Sequence, residues 1–353
     1  MPPRAMGSPA TDPQGPLAGL DPQRVERLHA DLAALWDWAI AEPGARLGIA
    51  VSGGPDSLAL LLLAAAALPG RIEAATVDHG LRPESAREAA DVAALCARIG
   101  VPHAVLAVAV PEGNVQAMAR QARYAALAGW VEARDLAALA SAHHADDQAE
   151  TLLMRLNRAS GVAGLAGARA LGRVPETSIP LLRPLLGWRR AELAQVVEEA
   201  GVVAAQDPSN RDDHYDRVRL RKALAGADWL DVPAIAQSAA NLADADAALD
   251  WMADLEWRSC IKKEPMGLRY RPQAPRAVAL RVVARLVAEL DGQEARGSAI
   301  ARLFETLCAG RPASIGNLVV RPNAGGWSFA RAPRRAVKAP AARRGLDTPS
   351  GED

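Results

Sequence analysis

Apolar residues recur along this chain in two alternating patterns. Short apolar runs at 47–51, 72–77, about 103–110 and 139–142 read as buried strands. Between them lie stretches of helical spacing or of continuous Ala and Leu, at 58–68, about 84–99, about 115–134 and about 145–157. Pro69-Gly70 and Gly100 stop two of these helices. A preceding helix is predicted over about 22–40, with Val25, Leu28, Leu32, Leu35 and Trp36 on one face. Strand–helix alternation of this kind predicts an α/β fold, a Rossmann-like parallel sheet with helices on both faces. Ligands in such sheets bind outside the carboxyl ends of the strands, at the switch point.

Further along, a Gly/Ala-rich loop over 161–172 suits a mobile flap or a turn-rich linker. A helix is predicted over about 189–200, and Asp207-Pro208-Ser209-Asn210 reads as a turn. From about residue 231 the pattern turns mainly helical, at 235–255, 277–290 and 298–308. A hairpin then follows over 317–330, around Pro322-Asn323-Ala324-Gly325-Gly326. The expected organisation is a disordered extension over 1–21 and an α/β domain over 22–225. A smaller, mainly helical domain over 226–331 and a basic, disordered tail over 332–353 complete it.

Polar residues interrupt the pattern where strands are predicted to end. Ser52-Gly53-Gly54-Pro55-Asp56-Ser57 stands between a strand and a helix. Glycines there let backbone N–H groups approach an anion, and the helix dipole favours negative charge. Asp56 or Ser57 suits the N-cap. This is not a Walker A loop, because no Lys precedes Lys222. A phosphate cradle here works with backbone amides, Ser52, Ser57 and nearby Arg. The competing reading is a Gly-rich turn with no ligand.

The second cluster is His143-His144-Ala145-Asp146-Asp147-Gln148-Ala149-Glu150-Thr151. On a helix starting near Ala145, Asp146 and Glu150 share a face, and Asp147 and Thr151 share the next. As acids near a helix N-terminus they are worth about 0.3–1 kcal/mol each to stability. His, Asp and Glu together can hold Mg²⁺ bridging phosphates, position a nucleophile or move protons. A solvated acidic cap is the alternative. Zinc is disfavoured, since no Cys is near and the spacing is not His-Glu-x-x-His. Asp78-His79-Gly80-Leu81-Arg82 ends another strand, as a nucleoside pocket or a capped turn. Arg120, Arg123 and Tyr124 lie on the fourth predicted helix, where plain surface charge is the alternative reading. Arg217, Arg219 and Arg221 would line one face of a strand, whereas on a helix only Arg217 and Arg221 would. Guanidinium forks of this kind suit phosphates.

Composition adds limits. Of 353 residues 41 are basic and 41 acidic, so net charge argues neither for nor against nucleic acid. Cys96, Cys260 and Cys308 are distant and odd in number, which argues for a reducing compartment and against a disulfide framework. No signal peptide and no membrane-spanning run is read, so a cytoplasmic protein with no membrane partner is expected.

Ser52–Ser57, Asp78–Arg82, Arg123-Tyr124, His143–Thr151, Arg183-Pro184-Leu185-Leu186 and Asp207–Asn210 resemble, in order and spacing, the motifs of bacterial tRNA(Ile)-lysidine synthetases. These are N-type ATP pyrophosphatases, and the Ser-Gly-Gly-Pro-Asp-Ser string looks like their pyrophosphate loop. The resemblance implies ATP as co-substrate, with Mg²⁺. It implies adenylation of the wobble cytidine of a CAU-anticodon tRNA(Ile) at its C2 oxygen. The ε-amine of free L-lysine then attacks C2 and AMP leaves. Carried over by motif, Asp56, His143, Asp146, Asp147 and Glu150 are catalytic. Ser52, Gly53, Gly54, Pro55, Asp56, Ser57, Asp78 and His79 hold the nucleotide. Arg120, Arg123, Arg217 and Arg221 meet tRNA, and Asp56, Asp146 and Asp147 are the metal candidates. Which carboxylate holds Mg²⁺ and which the amine stays open, and a homodimer is kept as one assembly.

The sequence departs from the family pattern at Val218, where an Asn is usual, and in a shorter C-terminal region. A tRNA thiolase of the same fold is the rival enzyme. It would need cysteines, and only Cys96 lies in the catalytic region. A non-catalytic nucleotide-binding module explains the loop but not the acidic cluster.

Overall fold

The computed structural model describes residues 15–36, 44–80, 83–109, 115–205 and 216–332. The chain divides into two compact units, Met1–Asp246 and Ala247–Asp353. The division falls inside a long helix, about twenty residues beyond the boundary at 225 suggested by the pattern change.

In the first unit, α1 (Pro22–Leu35) starts at Asp21, whose carboxylate accepts from the Gln23 amide at 2.9 Å. It ends at Leu35, five residues short of the expected end, with residues 37–43 outside the described set. The sheet contains β1 (Leu47–Ala50), β2 (Ile72–Asp78), β3 (His103–Ala107), β4 (Ala138–Ala140), β5 (Leu171–Arg173) and β6 (Pro180–Leu182). Their order is β3-β2-β1-β4-β6-β5, parallel throughout except for β5. From β1 the chain turns to β2 on one side, while β4 pairs on the other, with Ile49 opposite both Ala74 and Ala140. This reversal opens a crevice beyond the carboxyl ends of β1 and β4.

Helices α2 (Pro55–Ala67), α3 (Pro83–Arg98), α4 (Val115–Ala133), α5 (Ala145–Leu156), α6 (Val162–Leu165), α7 (Arg190–Glu199) and α8 (Asp216–Ala225) complete the unit. Helix α2 has no polar face because Leu58–Leu63 are buried all round, packed between the sheet, α1 and α7. Gly48 is needed in β1, since a Cβ there would meet the Trp130 ring at 2.8 Å. The Gly-rich loop after α6 is pinned to α5. Gln148 Nε2 donates to Ala168 O, and Ala168 N donates to Gln148 Oε1, both at 2.8 Å.

The division crosses α9 (Val232–Cys260). The second unit then contains β7 (Ile261–Glu264), β8 (Gly267–Tyr270), α10 (Arg276–Asp291), α11 (Gly297–Cys308), β9 (Ala313–Ile315), β10 (Leu318–Asn323) and β11 (Gly326–Arg331). The expected hairpin is present as β10–β11, with Asn323 opposite Gly326. It belongs to a five-stranded antiparallel sheet ordered β7-β8-β11-β10-β9, of which only that hairpin is legible in the sequence pattern. Tyr270 and Phe304 meet Trp327 edge-on at 5.9 and 5.3 Å in its core. Of the expected extension, residues 1–14 lie outside the described residues, but 15–20 form turns with Leu20 buried in the core and Asp21 caps α1; the tail lies outside them beyond Ala332.

Candidate active site

A cavity of about 570 Å³ opens beyond the carboxyl ends of β1, β2 and β4, among residues that include Ser52, Asp56, His79, Arg123, His143, Asp147 and Arg217. The loop after β1 forms one wall. Gly53 has φ +83°, a left-handed conformation that Gly adopts without strain. The N-cap of α2 is Gly54, not Asp56 or Ser57, with Pro55 in the first turn and no side chain capping the helix. Ser57 Oγ instead donates back to Gly54 O at 2.9 Å and accepts from Ser52 N at 3.1 Å. The first-turn amides of α2 are thus left for an anion. From the loop after α7, Ala205 N donates to Gly53 O at 2.9 Å and steadies the turn.

Asp56 stands in the first turn of α2. Its Oδ1 is buried and has no hydrogen-bond partner among the described residues. Its Oδ2 lies 3.4 Å from His144 Nε2. His144 is fully buried and caps α5. Its Nδ1 accepts from Asp147 N at 3.4 Å, and Asp147 Oδ2 accepts from His144 N at 3.3 Å. That capping box leaves the ring proton on Nε2, toward Asp56. The residues carried over by motif do not include His144. A His-x-x-Asp reading of the capping-box pattern is the signal that could have found it.

The acids of α5 separate by partner. Asp146 turns to α7: it accepts from Arg189 Nε and Nη2, each at 3.2 Å, and from Arg190 N at 2.8 Å. Burial alone would raise its pKa, but these bonds and the nearby charges hold it below the usual carboxylate range. Glu150 is 1% exposed and accepts from Arg217 Nε at 2.6 Å and Arg221 Nε at 2.9 Å. Arg217 Nη2 also donates to Asp147 Oδ1 at 2.6 Å. The pair joined across the helix is therefore Asp147 with Glu150, rather than Asp146 with Glu150.

The Arg217–Arg221 segment is helical in α8, as one of the two readings required. Arg217 and Arg221 face α5, Val218 is buried beside them, and Arg219 pairs outward with Asp216. Arg123 lines the cavity, while Arg120 is exposed. Both cations lie over Tyr124, at 5.3 and 5.0 Å. His143 lines the cavity with Nδ1 3.1 Å from Ser141 Oγ. Burial, then the Arg183 charge, pushes its pKa down to about 4, so it is neutral at pH 7. His79 is also depressed, by burial and by Arg123, and its Nδ1 is buried without a partner among the described residues. Asp78 makes an Asx turn to Gly80 N at 2.9 Å. Leu81, Arg82 and the Asp207–Asn210 motif lie outside the described residues.

Of the metal candidates, Asp56 has an unpartnered buried oxygen and Asp147 lines the same cavity, whereas Asp146 is engaged by Arg189 and Arg190. No group of three His, Cys, Asp or Glu able to hold a metal occurs among the described residues. One or two carboxylates completed by phosphate oxygens is an arrangement that suits Mg²⁺.

An open parallel sheet, an uncapped helix after a Ser-Gly-Gly turn and a carboxylate beside it define a PP-loop nucleotide-dependent domain. The family described as a PP-loop domain matches residues 24–227. A tRNA(Ile)-lysidine synthase of Novosphingobium aromaticivorans is 48% identical over 84% of this chain and 92% of its own length. One of Zymomonas mobilis is 42% identical over 82% and 89%. The chain belongs to the tRNA(Ile)-lysidine synthase family. A solved U34-tRNA thiolase NcsA from Methanococcus maripaludis aligns with a TM-score of 0.49 at 15% identity, over 62% of this chain and 76% of that one. The thiolase alternative is not favoured. Cys96 is buried and its thiol is pushed up to about 12, which suits neither sulfur transfer nor cluster ligation. Among the described residues, no helix is long and apolar enough to cross a membrane.

Proposed function

We propose that the chain joins free L-lysine to C2 of the wobble cytidine of a CAU-anticodon tRNA(Ile), at the expense of ATP. The observation that carries this reading is that one cavity is lined by both parts such a reaction needs. An uncapped helix start with Asp56 suits the triphosphate, and Asp147, bridged to Glu150, suits an amine.

In this reading the α2 amides and the Ser52 and Ser57 hydroxyls take up charge as pyrophosphate departs from the α-phosphorus. Asp56, whose buried oxygen is unpartnered, would hold Mg²⁺ together with phosphate oxygens, and the ion would neutralise phosphate charge. His144 fixes the orientation of Asp56. His79 and the end of β2 border the nucleoside. Arg123 orients the RNA strand, and neutral His143 serves as a hydrogen-bond partner without adding a cation. Once the C2 oxygen carries the adenylyl group, Asp147 and Glu150 hold the lysine amine and Asp147 accepts its proton. The amine attacks C2 and the bond to AMP breaks.

Incubating the chain with ATP, Mg²⁺, L-lysine and a CAU-anticodon tRNA(Ile) transcript tests this. Nucleoside mass spectrometry should find lysidine, with one AMP and one pyrophosphate per product. A transcript left as cytidine, or converted to a thiolated base, defeats the reading.

A further inference from the structure

Arg217 is a cation held between two carboxylates. Its Nη2 reaches Asp147 Oδ1 and its Nε reaches Glu150 Oε2, each at 2.6 Å. One guanidinium therefore fills the gap between those oxygens. The Arg217 side chain is 45% exposed and lines the cavity, whereas that of Glu150 is 1% exposed. Of the two ends of this bridge, the cation is the one with a way out.

Taking Arg217 away leaves two carboxylate oxygens without its N–H donors. Glu150 still accepts from Arg221 Nε at 2.9 Å, and Asp147 still accepts from the His144 amide at 3.3 Å. Arg190 Nη2 stays 3.7 Å from Glu150 Oε1 and 3.9 Å from Asp147 Oδ1, too far to donate to either, so the two oxygens that Arg217 held lose their 2.6 Å donors. A primary ammonium supplies one positive charge and three donors on a compact head. The gap suits a guanidinium or an ammonium, and not both at once.

A competitor for the guanidinium is at hand. Arg forks bind phosphate oxygens bidentately, and Arg217 lines the same cavity as the uncapped start of α2. We infer that Arg217 occupies the ammonium subsite of the free chain, and that a phosphate group withdraws it, so that a primary amine binds only to the phosphate-loaded protein. The inference rests on the amine-donor reading above and adds an order of binding to it. The phosphate belongs either to ATP or to the RNA backbone. Coupling of this kind is reciprocal, so bound amine also strengthens phosphate binding. If the withdrawn state is about 1–10% of the free chain, apparent amine affinity is weakened about 10- to 100-fold.

Equilibrium dialysis of radiolabelled L-lysine against the full chain tests this. The chain is taken alone, with α,β-methylene ATP and Mg²⁺, with a CAU anticodon stem–loop RNA, and with both. Lysine should bind at least about tenfold more tightly in a phosphate-containing arm than to the chain alone, and the arm that responds identifies the source. Arg217→Gln should bind lysine without any phosphate about as tightly as the loaded wild type. Circular dichroism checks its fold, and if it does not fold, the wild-type arms decide. Equal wild-type affinity in every arm, or a folded Arg217→Gln that binds no better than the unloaded wild type, overturns the inference. Lysidine formed from the complete substrates alongside either result leaves the amine-donor reading intact. Absence of lysidine defeats that reading instead.

Discussion

His144 Nε2 lies 3.4 Å from Asp56 Oδ2, and this interaction ties the helix after the phosphate loop to the acidic helix across the β1–β4 pair. The imidazole is fully buried and its other nitrogen is committed to capping α5. It therefore cannot swing away without uncapping that helix. One carboxylate oxygen of Asp56 faces a fixed ring, while the other is buried without a partner among the described residues.

That asymmetry separates function from stability at Asp56. An unpartnered buried oxygen costs stability until a ligand reaches it. Asp56→Asn should lower pyrophosphate release by about 10²–10³-fold, the range for removing one group that stabilises transition-state charge. Its thermal midpoint should equal or exceed that of the wild type. Both are read by a pyrophosphate-release assay and differential scanning fluorimetry on the same sample. A destabilised variant with normal release would refute the assignment.

Glu150 should behave in the opposite way. As an exposed acid near a helix N-terminus it would be worth about 0.3–1 kcal/mol. It is buried under Arg217 and Arg221, and its removal deprives Arg221 of its carboxylate partner and leaves Arg217 with Asp147 alone. Glu150→Ala should cost toward the lower end of about 3–5 kcal/mol, because both guanidiniums keep some access to water. Urea unfolding monitored by circular dichroism measures it. A destabilisation below about 1 kcal/mol would mean that the ion pairs contribute nothing net.

The contrast between Asp56 and Glu150 marks what the chain discloses before its structure is known. The parallel sheet was legible because β1, β2 and β4, largely buried on both faces, read as continuous apolar runs, and each ends in a polar cluster. The phosphate loop was legible because its residue types stand between a strand and a helix. Helical spacing puts Asp146 and Glu150 on one face, but spacing does not say what lies opposite. Asp146 meets Arg189 from 43 residues away, and Glu150 meets Arg217 from 67 away. Such pairings depend on how α7 and α8 return to the sheet, which local pattern does not encode. Strand β7 was hidden for another reason. Ile261-Lys262-Lys263-Glu264 is mostly charged because β7 is an edge strand, with consecutive Lys262 and Lys263 both exposed.

His143 gives a pH prediction. Its pKa is about 4 in the folded chain, against an ordinary value near 6.5. As pH falls through this window the unfolded chain binds a proton before the folded one, so stability falls with it. The contribution is complete above about pH 6.5 and is lost progressively toward pH 4. His143→Gln should flatten this part of the profile while leaving stability at pH 7.5 within about 1 kcal/mol. Chemical denaturation of both proteins between pH 4 and 7.5 checks it. Parallel profiles would show that His143 titrates normally.

The last prediction concerns RNA affinity. With equal numbers of acidic and basic residues, binding must come from local clusters of cations. Two differ in kind. Residues 333–353 include Arg334, Arg335, Lys338, Arg343 and Arg344. Arg123 lines the cavity, beside Tyr124. A cut to remove the tail must follow Ala332, because Arg331 belongs to β11 and its Nε donates to Leu290 O at 2.9 Å. Removing one cation from an RNA phosphate should flatten the logarithmic salt dependence of binding by about 0.7–0.9. The truncated chain should therefore bind tRNA more weakly and with a flatter salt slope. The change should be the same for cognate and non-cognate tRNA, because phosphate binding carries no base information. Its turnover at saturating tRNA should match that of the full chain. Arg123→Gln should change the slope by about one such phosphate and also lower turnover at saturation, since without that guanidinium the strand is misplaced at the reacting base. Filter binding across a salt series, paired with lysidine formation at saturating tRNA, separates the two effects. Turnover abolished by truncation, together with full turnover in Arg123→Gln, would reverse this division of roles.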